Sequence, residues 1–186
     1  MEWKPFSQKK RKSDFEALAA ENERRVYAVC FHMMGNREDA QDCAQETMLR
    51  AFRGFDAYRR DASFSTWITR IALNVCVDAL RKRRQVVSLD ELKDEKGWDM
   101  PDSAPGAYAL LEQKERMSLL REAMQALPAD MRQMIVLRDM QGMSYDEIAQ
   151  TLALPLGTVK SRVSRAREKL GALLKKSSEL FSSTSV

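Results

Sequence analysis

Apolar residues in the first half of the chain recur mostly three and four positions apart, the spacing of one face of a helix. This pattern predicts helices over residues 15–34, 37–53 and 64–84. Gly35 and Asn36 suit the end of the first helix and the N-cap of the second, and Asp39 is spaced to complete a capping box. Residues 55–63 break the periodicity, and we expect a loop there.

The helical pattern resumes in the second half after an interruption. Residues 86–107 lack a sustained period and place two glycines and two prolines among acidic and polar residues, which predicts a linker between two domains. Helices are expected again over residues 108–127 and from Pro128 to Gly142.

The next segment predicts a helix-turn-helix. Ser144 and Glu147 form the S-x-x-E pattern of a capping box, which starts a helix over residues 145–152. A turn at residues 153–155 leads into a second helix over residues 156–174. Two helices joined by so tight a turn, the second of them cationic, are typical of this motif.

The second helix of the motif has an apolar and a cationic face. Five apolar residues face the core: Val159, Val163, Ala166, Leu170 and Leu173. Recognition helices insert their N-terminal half into the major groove, where Arg, Lys and Ser contact base edges. The candidates for base contacts are Lys160, Ser161, Ser164 and Arg165. The flanking cations suit phosphates: Arg162, Arg167 and Lys169. The alternative is an amphipathic helix whose charges only solvate it.

The helix predicted over residues 64–84 presents a different surface. Its buried stripe is Phe64, Ile68, Ile71, Ala72, Val75 and Ala79. A second stripe holds Arg70, Asn74 and Arg81, with Trp67 at its edge. Cations that hold a backbone, an amide that contacts bases and rings that stack suit single-stranded nucleic acid. The preceding loop adds Phe55, Tyr58, Arg59, Arg60 and Phe64. The alternative is that each ring is buried in the core.

Acidic residues gather toward the start of the helix predicted over residues 37–53: Glu38, Asp39, Asp42 and Glu46, with Gln45 beside them. The helix dipole stabilises carboxylates in a first turn, but the cluster extends beyond that turn, which favours a basic protein partner. A metal site is a third interpretation, because Glu38, Asp42 and Glu46 are four residues apart. They lack the histidine that carboxylate–histidine di-metal bundles require.

Charge is segregated along the chain. The 31 basic and 27 acidic residues give a net charge of only +4, yet residues 80–85 and 156–176 are basic while residues 86–106 are acidic. Two basic segments separated by an acidic one predict two places that meet phosphate; the alternative is two solvated helix faces. The single histidine and the lack of HExxH, GxSxG and P-loop motifs disfavour most enzyme classes.

Cys30, Cys43 and Cys76, an odd number without a CxxC pair, predict reduced, buried thiols in a cytosolic protein. His32 beside Cys30 is too small a set for zinc. No apolar run approaches the roughly 20 residues that span a bilayer, and no apolar stretch follows the basic first dozen residues, which argues against a secretory signal.

Three segments resemble the sigma factors of bacterial RNA polymerase, specifically the extracytoplasmic-function (ECF, group 4) branch of the sigma-70 family. The segment GNREDAQDCAQETMLRAF is similar to region 2.1–2.2, and FSTWITRIALNVCVDALRKRR is similar to regions 2.3–2.4. The segment LPADMRQMIVLRDMQGMSYDEIAQTLALPLGTVKSRVSRAREKL is similar to region 4. The resemblance covers residues 15–84 and 112–174.

The resemblance implies an all-α fold of two small helical domains, an N-terminal helical bundle and a C-terminal helix-turn-helix bundle, joined by a flexible acidic linker. The expected segments are a basic tail over 1–13, sigma region 2 over 14–85, the linker over 86–110, sigma region 4 over 111–176 and a C-terminal tail over 177–186.

The resemblance also implies roles for single residues. Region 2.2 binds the coiled coil of the β′ subunit of core polymerase, through Glu38, Asp39, Asp42, Gln45 and Glu46. Region 2 melts and reads the minus-ten element, with Asn74 at the family's base-capturing position; the set is Phe55, Tyr58, Arg59, Arg60, Phe64, Trp67, Arg70, Asn74, Arg81, Arg83 and Arg84. Region 4 packs on the β flap and reads the minus-thirty-five element, through Thr158, Lys160, Ser161, Arg162, Ser164, Arg165, Arg167 and Lys169.

Several properties follow from the same resemblance. We expect no enzymatic activity, no cofactor and no metal, a cytoplasmic protein without membrane insertion that is monomeric when free of partners, and control by an anti-sigma factor in a stress or envelope response. A free-standing helix-turn-helix regulator is the alternative. A helical nucleic-acid enzyme is the third interpretation, disfavoured because no acid–base or metal constellation converges.

Overall fold

The structure, a computed structural model, describes the backbone of residues 5–87 and 107–184 and the side chains of residues 11–83 and 116–176. The described backbone is helical and contains no strand. Its α-helices are α1 Pro5–Met34, α2 Arg37–Gly54, α3 Phe64–Val87, α4 Ala107–Ala126, α5 Ala129–Ile135, α6 Tyr145–Leu152 and α7 Leu156–Thr184. The all-α prediction is confirmed. No described helix combines the length and the apolar character needed to cross a membrane.

The junction between α1 and α2 has the predicted glycine and N-cap, but of the predicted capping box it shows only the bond to the Asn36 side chain. Gly35 adopts φ +81°, a left-handed conformation that glycine adopts without steric cost, and ends α1. Asn36 is the N-cap of α2, because its Oδ1 accepts a hydrogen bond of 2.9 Å from the backbone N–H of Asp39. The Asn36 side-chain amide also donates to the Asp39 carboxylate at 2.8 Å.

Helices α1, α2 and α3 pack on one another as an N-terminal bundle. The predicted stripe of α3 faces the bundle core, where Ile68 and Ala72 are fully buried. The stripe is wider than the pattern indicated, because Leu73 and Cys76 are fully buried as well. Helix α3 therefore contacts α1 and α2 at the same time.

The C-terminal domain contains the predicted helix-turn-helix. Pro128 is the N-cap of α5 rather than its first residue, and α5 widens into a π-helical turn over Val136–Met140. The capping box of Ser144 and Glu147 is present in both directions and starts α6. Ala153 ends α6 in the left-handed conformation at φ +52°. The predicted bounds of α6 and the start of α7 are confirmed.

The two domains pack directly against each other. Helix α1 contacts α4, α5 and the π-helical turn, and α3 contacts α5 and α6, so the buried apolar residues of both domains belong to one continuous core. Sequence reasoning made no prediction of this arrangement. Of the predicted linker, 86–110, the first and last residues belong to α3 and α4, and residues 88–106 lie outside the described residues. The predicted tails need correction, because residues 5–13 belong to α1 and residues 177–184 belong to α7; residues 1–4 and 185–186 lie outside the described residues.

Candidate nucleic-acid interface

Helix α3 displays the polar stripe that its sequence predicts. Arg70, Asn74 and Arg81 are exposed on the side opposite the buried stripe. The residues between them are held by the bundle core, so the helix backbone is fixed while these side chains reach solvent. A rigid helix that presents an amide between two cations can hold a phosphate backbone and contact the edge of a base.

The aromatic residues next to this stripe form one cluster with rings from α1 and α2. Tyr58 and Trp67 lie 5.1 Å apart between ring centroids, and Phe64 lies 5.5 Å from Trp67 and 6.1 Å from Phe15. Phe64 is only 6% exposed, so the expectation that its ring stacks on a base needs correction: it is a core residue in this structure. Phe55, Tyr58 and Trp67 are half-buried and keep part of their rings accessible.

The loop before α3 is ordered by local hydrogen bonds. The Tyr58 hydroxyl donates to the carbonyl of Ala62 at 2.8 Å, and Ser63 Oγ accepts from the backbone N–H of Thr66 at 3.1 Å at the start of α3. Arg59 and Arg60 are exposed. Arg60 has φ +62°, a left-handed conformation that costs a non-glycine residue free energy and that clusters at functional sites.

The cations at the end of α3 differ from one another. Arg83 is paired with Asp39 of α2 at 3.0 Å, so two residues predicted for different partners, DNA and polymerase, contact each other here. Both side chains remain partly exposed. Arg84 belongs to the backbone of α3, but its side chain lies outside the described residues.

The acidic cluster of α2 is divided between exposed and ion-paired members. Glu38, Asp42 and Gln45 are exposed. Glu46 accepts a 2.6 Å bond from the guanidinium of Arg50, which also lies 3.5 Å from Asp78 of α3. The hydrogen bond to Glu46 raises the pKa of Arg50 above its usual value. No set of three potential ligands for a metal ion occurs within the described side chains.

A shallow apolar groove beside this cluster was not identified from the sequence. It lies between α1 and α2 and contains two exposed apolar side chains, Leu49 at 52% and Phe52 at 37%, together with Tyr27, Gln45 and Met48. The signal was present in the sequence: Met48, Leu49 and Phe52 are apolar residues on α2 outside the buried stripe. Exposed apolar side chains beside exposed acids are typical of a protein-binding surface.

Helix α7 places its predicted base-contacting residues together on one exposed face. Lys160, Ser161, Ser164 and Arg165 are exposed, while Val159, Val163 and Ala166 are buried against the domain. The guanidinium of Arg165 lies on Ser161, with Nε 3.3 Å from the Ser161 carbonyl oxygen and a terminal nitrogen 3.4 Å from its Oγ. These contacts hold Arg165 along the helix surface. Thr158 is half-buried in the first turn.

The predicted phosphate contacts of α7 are not equivalent. Lys169 is exposed and Arg162 is half-buried. Arg167 is ion-paired with Asp139 of the π-helical turn, with Nε 3.1 Å from Oδ2, and this pairing raises the pKa of Arg167 above its usual value. Arg167 therefore joins two elements of the domain, and Asp139 partly neutralises its charge. Leu156, 37% exposed in the first turn of α7, is an exposed apolar residue beside this face that was not predicted from the sequence.

The three cysteines converge from three helices. Cys30 of α1, Cys43 of α2 and Cys76 of α3 are buried and free, which confirms the prediction that they occupy the core. Hydrogen bonding to Cys76 lowers the pKa of Cys43, and hydrogen bonding to Cys30 and Cys43, with burial, raises that of Cys76. Burial also lowers the pKa of His32.

Comparison with known families agrees with both halves of this geometry. The family described as Sigma-70 region 2 matches residues 18–86. The family described as Sigma-70, region 4 matches residues 117–170. The first match contains α2, nearly all of α3 and the aromatic cluster apart from Phe15, and the second contains α6, the turn and the first half of α7. Together they cover more than half of the chain.

Individual relatives extend the comparison to almost the whole chain. ECF RNA polymerase sigma factor SigE of Mycolicibacterium smegmatis is 33% identical over 165 residues, which are 88% of this chain and 63% of that protein. ECF RNA polymerase sigma factor SigW of Bacillus subtilis is 34% identical over 151 residues, 78% of this chain and 81% of that protein.

Solved structures show the same architecture. The sigma factor RpoE of Bartonella quintana, determined in complex with the anti-sigma factor NepR, matches with a TM-score of 0.69 and 28% identity, over 87% of this chain and 97% of RpoE. CnrH, determined in complex with the cytosolic domain of CnrY, matches with a TM-score of 0.60 and 27% identity, over 89% of this chain and 90% of the matched chain.

Proposed function

Because the chain belongs to the extracytoplasmic-function sigma factors of the sigma-70 family, we propose that it binds core RNA polymerase and reads the two elements of its promoters through α3 and α7. One observation carries this proposal. Each of the two matched regions presents an exposed cationic face, and the two faces differ in shape and in the side chains between their cations.

The face on α3 is suited to the minus-ten element once its strands have separated. Arg70 and Arg81 would hold the strand, and the amide of Asn74 would bond to the edge of a base turned out of the stack. Unpairing a base costs a few kcal/mol, which these contacts and the half-buried rings of Tyr58 and Trp67 would offset.

The face on α7 is suited to the duplex minus-thirty-five element. Short Ser161 and Ser164 side chains let the helix approach base edges closely, and Lys160 and Arg165 can donate to guanine. Leu156 would supply an apolar contact to a thymine methyl at the end of the helix that enters the groove. Lys169, farther along α7, would contact phosphate.

The surface on α2 is suited to core polymerase. Glu38, Asp42 and Gln45 would meet basic residues of the β′ coiled coil, and the groove at Leu49 and Phe52 would receive apolar side chains next to them. Asp39 and Glu46 bind arginines of this chain, so we assign them a supporting role. Region 4 would pack on the β flap.

We also propose control by an anti-sigma factor in a stress or envelope response, because the sigma factor RpoE, similar over 87% of this chain, was determined with one. A protein that acts with polymerase on chromosomal DNA works in the cytoplasm, and we propose this location for the chain. We also propose that it is a monomer when it is free of partners. The chain contributes no catalytic step: the chemistry of RNA synthesis belongs to the polymerase.

The decisive experiment is run-off transcription with bacterial core polymerase on promoter fragments, beginning with the region upstream of the protein's own gene. We expect discrete start sites with the wild-type protein and loss of initiation with Asn74→Ala or Arg165→Ala. Arg24→Ala is the matched control, because it removes an exposed cation of α1 that lies on neither face. An absence of initiation on every fragment, together with no binding to core polymerase, would favour the free-standing regulator.

Binding to core polymerase is tested separately by charge reversal on α2. Asp42→Lys should weaken the affinity at least tenfold, because it places like charges together at the interface. Asp14→Lys, an equal change at an exposed position of α1, should leave it within a factor of two or so. Equal effects of the two variants would contradict the assignment of α2.

A further inference from the structure

The three cysteine thiols meet in the core of the N-terminal bundle. Cys30, Cys43 and Cys76 are buried side chains of α1, α2 and α3, and each of these helices packs on the other two. The Cys76 thiol is hydrogen-bonded to the thiols of both Cys30 and Cys43. The fold therefore brings together, from positions distant in sequence, the sulfur atoms that a disulfide requires.

The three thiols differ in their access to solvent. Cys30 and Cys76 are fully buried, whereas Cys43 retains 5% exposure. The exposed carboxylate of Asp42 lies close enough to Cys43 to act on it electrostatically, so this thiol lies just beneath the surface of α2. A small oxidant needs little movement of the protein to reach Cys43, while a bulky one is excluded.

Hydrogen bonding also gives two of the thiols different reactivity. The bond to Cys76 lowers the pKa of Cys43 below its usual value, although burial and the carboxylates of Asp39 and Asp42 act in the opposite direction. The bonds to Cys30 and Cys43, together with burial, raise the pKa of Cys76. The thiolate is the form of cysteine that attacks an oxidant. Cys43 is therefore the thiol that reacts first, and Cys76 keeps its proton.

We propose that Cys43 and Cys76 form a modification site, in which a small hydroperoxide oxidises Cys43 and Cys76 then closes a disulfide that joins α2 to α3. Cys30 remains a free thiol next to this pair. The reduced thiols predicted from the sequence are the resting form. A disulfide that forms in a reducing compartment is usually transient and redox-sensing.

The reaction balances with the hydroperoxide as the single oxidant. The Cys43 thiolate attacks one peroxide oxygen, a sulfur–oxygen bond forms, the oxygen–oxygen bond breaks, and the leaving alkoxide takes up the proton that Cys43 lost. Cys43 is then a sulfenic acid. The Cys76 sulfur attacks the Cys43 sulfur, the disulfide bond forms, and the departing hydroxide leaves as water with the Cys76 proton. Two thiols are oxidised, and one hydroperoxide is reduced to an alcohol and water.

The site lies beneath two of the surfaces in the proposed function. Cys43 directly follows Asp42 of the acidic cluster, and Cys76 lies two residues after Asn74. The two sulfur atoms must approach to about 2.05 Å in a disulfide, which draws α2 toward α3, and a close-packed core transmits such a strain to its surface. We therefore expect the oxidised protein to lose transcription activity. This last expectation rests on the proposed function.

Mass-spectrometric mapping of the full chain tests the modification site without reference to function. After treatment with hydrogen peroxide, alkylation of free thiols and digestion without reductant, we expect a Cys43–Cys76 peptide pair and an alkylated Cys30. The same treatment in urea is the control, because loop closure in an unfolded chain favours Cys30–Cys43, the cysteines closest in sequence. Any other pair in the folded protein, or three free thiols, would overturn the modification site.

Alanine variants test the order of the two steps. Cys43→Ala should abolish the disulfide, and Cys76→Ala should stop the reaction at a sulfenic acid on Cys43, which dimedone labels. Cys30→Ala is the matched control, since Cys30 is also buried and bonded to Cys76, and should still form the disulfide. Circular dichroism checks that each variant is folded. A disulfide in Cys43→Ala, or no dimedone label in Cys76→Ala, would contradict the proposed order.

Run-off transcription tests the consequence for function. Wild-type protein that is oxidised, freed of peroxide and then mixed with core polymerase should lose initiation, and dithiothreitol should restore it. Cys43→Ala should be insensitive to the same treatment. Equal transcription by oxidised and reduced wild type would overturn the expected loss of activity. Failure of the reduced wild type to transcribe would count against the proposed function, while the peptide map would still decide the modification site.

Discussion

The helices α3 and α7 are both amphipathic and both carry exposed cations, yet they are supported differently. Helix α3 is packed on two neighbours, backed by an aromatic cluster and joined to α2 through the Arg83–Asp39 pair. Helix α7 packs on α4, α5 and α6 and exposes serines between the cations of its first turns. Of the cations predicted to contact DNA on α7, Arg167 is tied to another element.

This difference corresponds to the two forms of DNA that we propose for the two faces, a separated strand for α3 and a duplex for α7. A flexible single strand gains affinity from a surface that is already rigid and has rings beside it. A duplex is itself rigid, and its major groove accepts a protruding helix with short side chains near the bases. Both faces carry exposed Arg or Lys side chains. They differ in the packing of the helix that carries these cations and in the side chains between them.

The largest expected effect tests whether α3 and α7 belong to one cooperatively folding unit. Leu73→Ala removes a fully buried side chain of α3 and should lower the free energy of unfolding by about 2–5 kcal/mol. Because the domains share a core, urea unfolding followed by tryptophan fluorescence and by circular dichroism should give coincident transitions. Leu49→Ala is the control, since Leu49 is exposed, and should change stability by less than about 0.5 kcal/mol. Separate transitions would show that the faces belong to independent units.

The next prediction separates the two DNA forms. Asn74→Ala should weaken binding of the holoenzyme to a single-stranded minus-ten probe by about 1–3 kcal/mol, the value of a side-chain amide bonded to a base edge, with binding to the duplex minus-thirty-five probe unchanged. Arg165→Ala should do the reverse by a similar amount. Fluorescence anisotropy with the promoter identified by run-off transcription measures both. If each variant weakened both probes equally, the distinction between the faces would be lost.

A smaller effect distinguishes two cations of α7. Lys169→Ala should reduce the slope of log affinity against log salt by about one for duplex DNA, because one phosphate contact is lost. Arg167→Ala should change this slope less, since Asp139 already pairs with that guanidinium, and should instead lower thermal stability. A larger change in slope for Arg167→Ala would show that the pair opens on DNA.

The smallest expected effect is a pH dependence of stability that arises at the contact between the two domains. Burial lowers the pKa of His32, which lines a small cavity between the domains with Phe31 and with Arg121 of α4. The folded protein therefore disfavours a proton that the unfolded chain accepts, so stability should fall as the pH drops below about 6.5, the unperturbed histidine value. His32→Gln should show a weaker loss between pH 7.5 and 5.5 in urea unfolding. Identical losses in the two proteins would exclude His32 as a source.

Local features of the fold could be predicted from the sequence because their causes are local. The Asn36 cap, the capping box at Ser144 and the buried stripes of α3 and α7 depend on residues a few positions apart. The π-helical turn after α5 and the wider burial of α3 could not be predicted this way, because packing from several helices at once decides them.

The candidate site shows the same division. Which residues occupy the exposed faces of α3 and α7 followed from periodicity. Periodicity could not predict which of these cations form ion pairs within the chain. Arg83 pairs with Asp39, 44 positions away in sequence, and Arg167 pairs with Asp139, 28 positions away. The burial of Phe64 likewise depends on Phe15, a ring from a helix distant in sequence.

The position of Met33 has a consequence for the order in which the protein is made. The bundle of α1, α2 and α3 is complete at Val87, so it can leave the ribosome and fold before Arg132 of α5 is translated, as N-terminal domains generally do. In the folded chain the Arg132 guanidinium donates to the Met33 carbonyl at the end of α1. In a nascent chain at that earlier stage the same carbonyl is hydrated, and packing of the C-terminal domain replaces this water with the guanidinium.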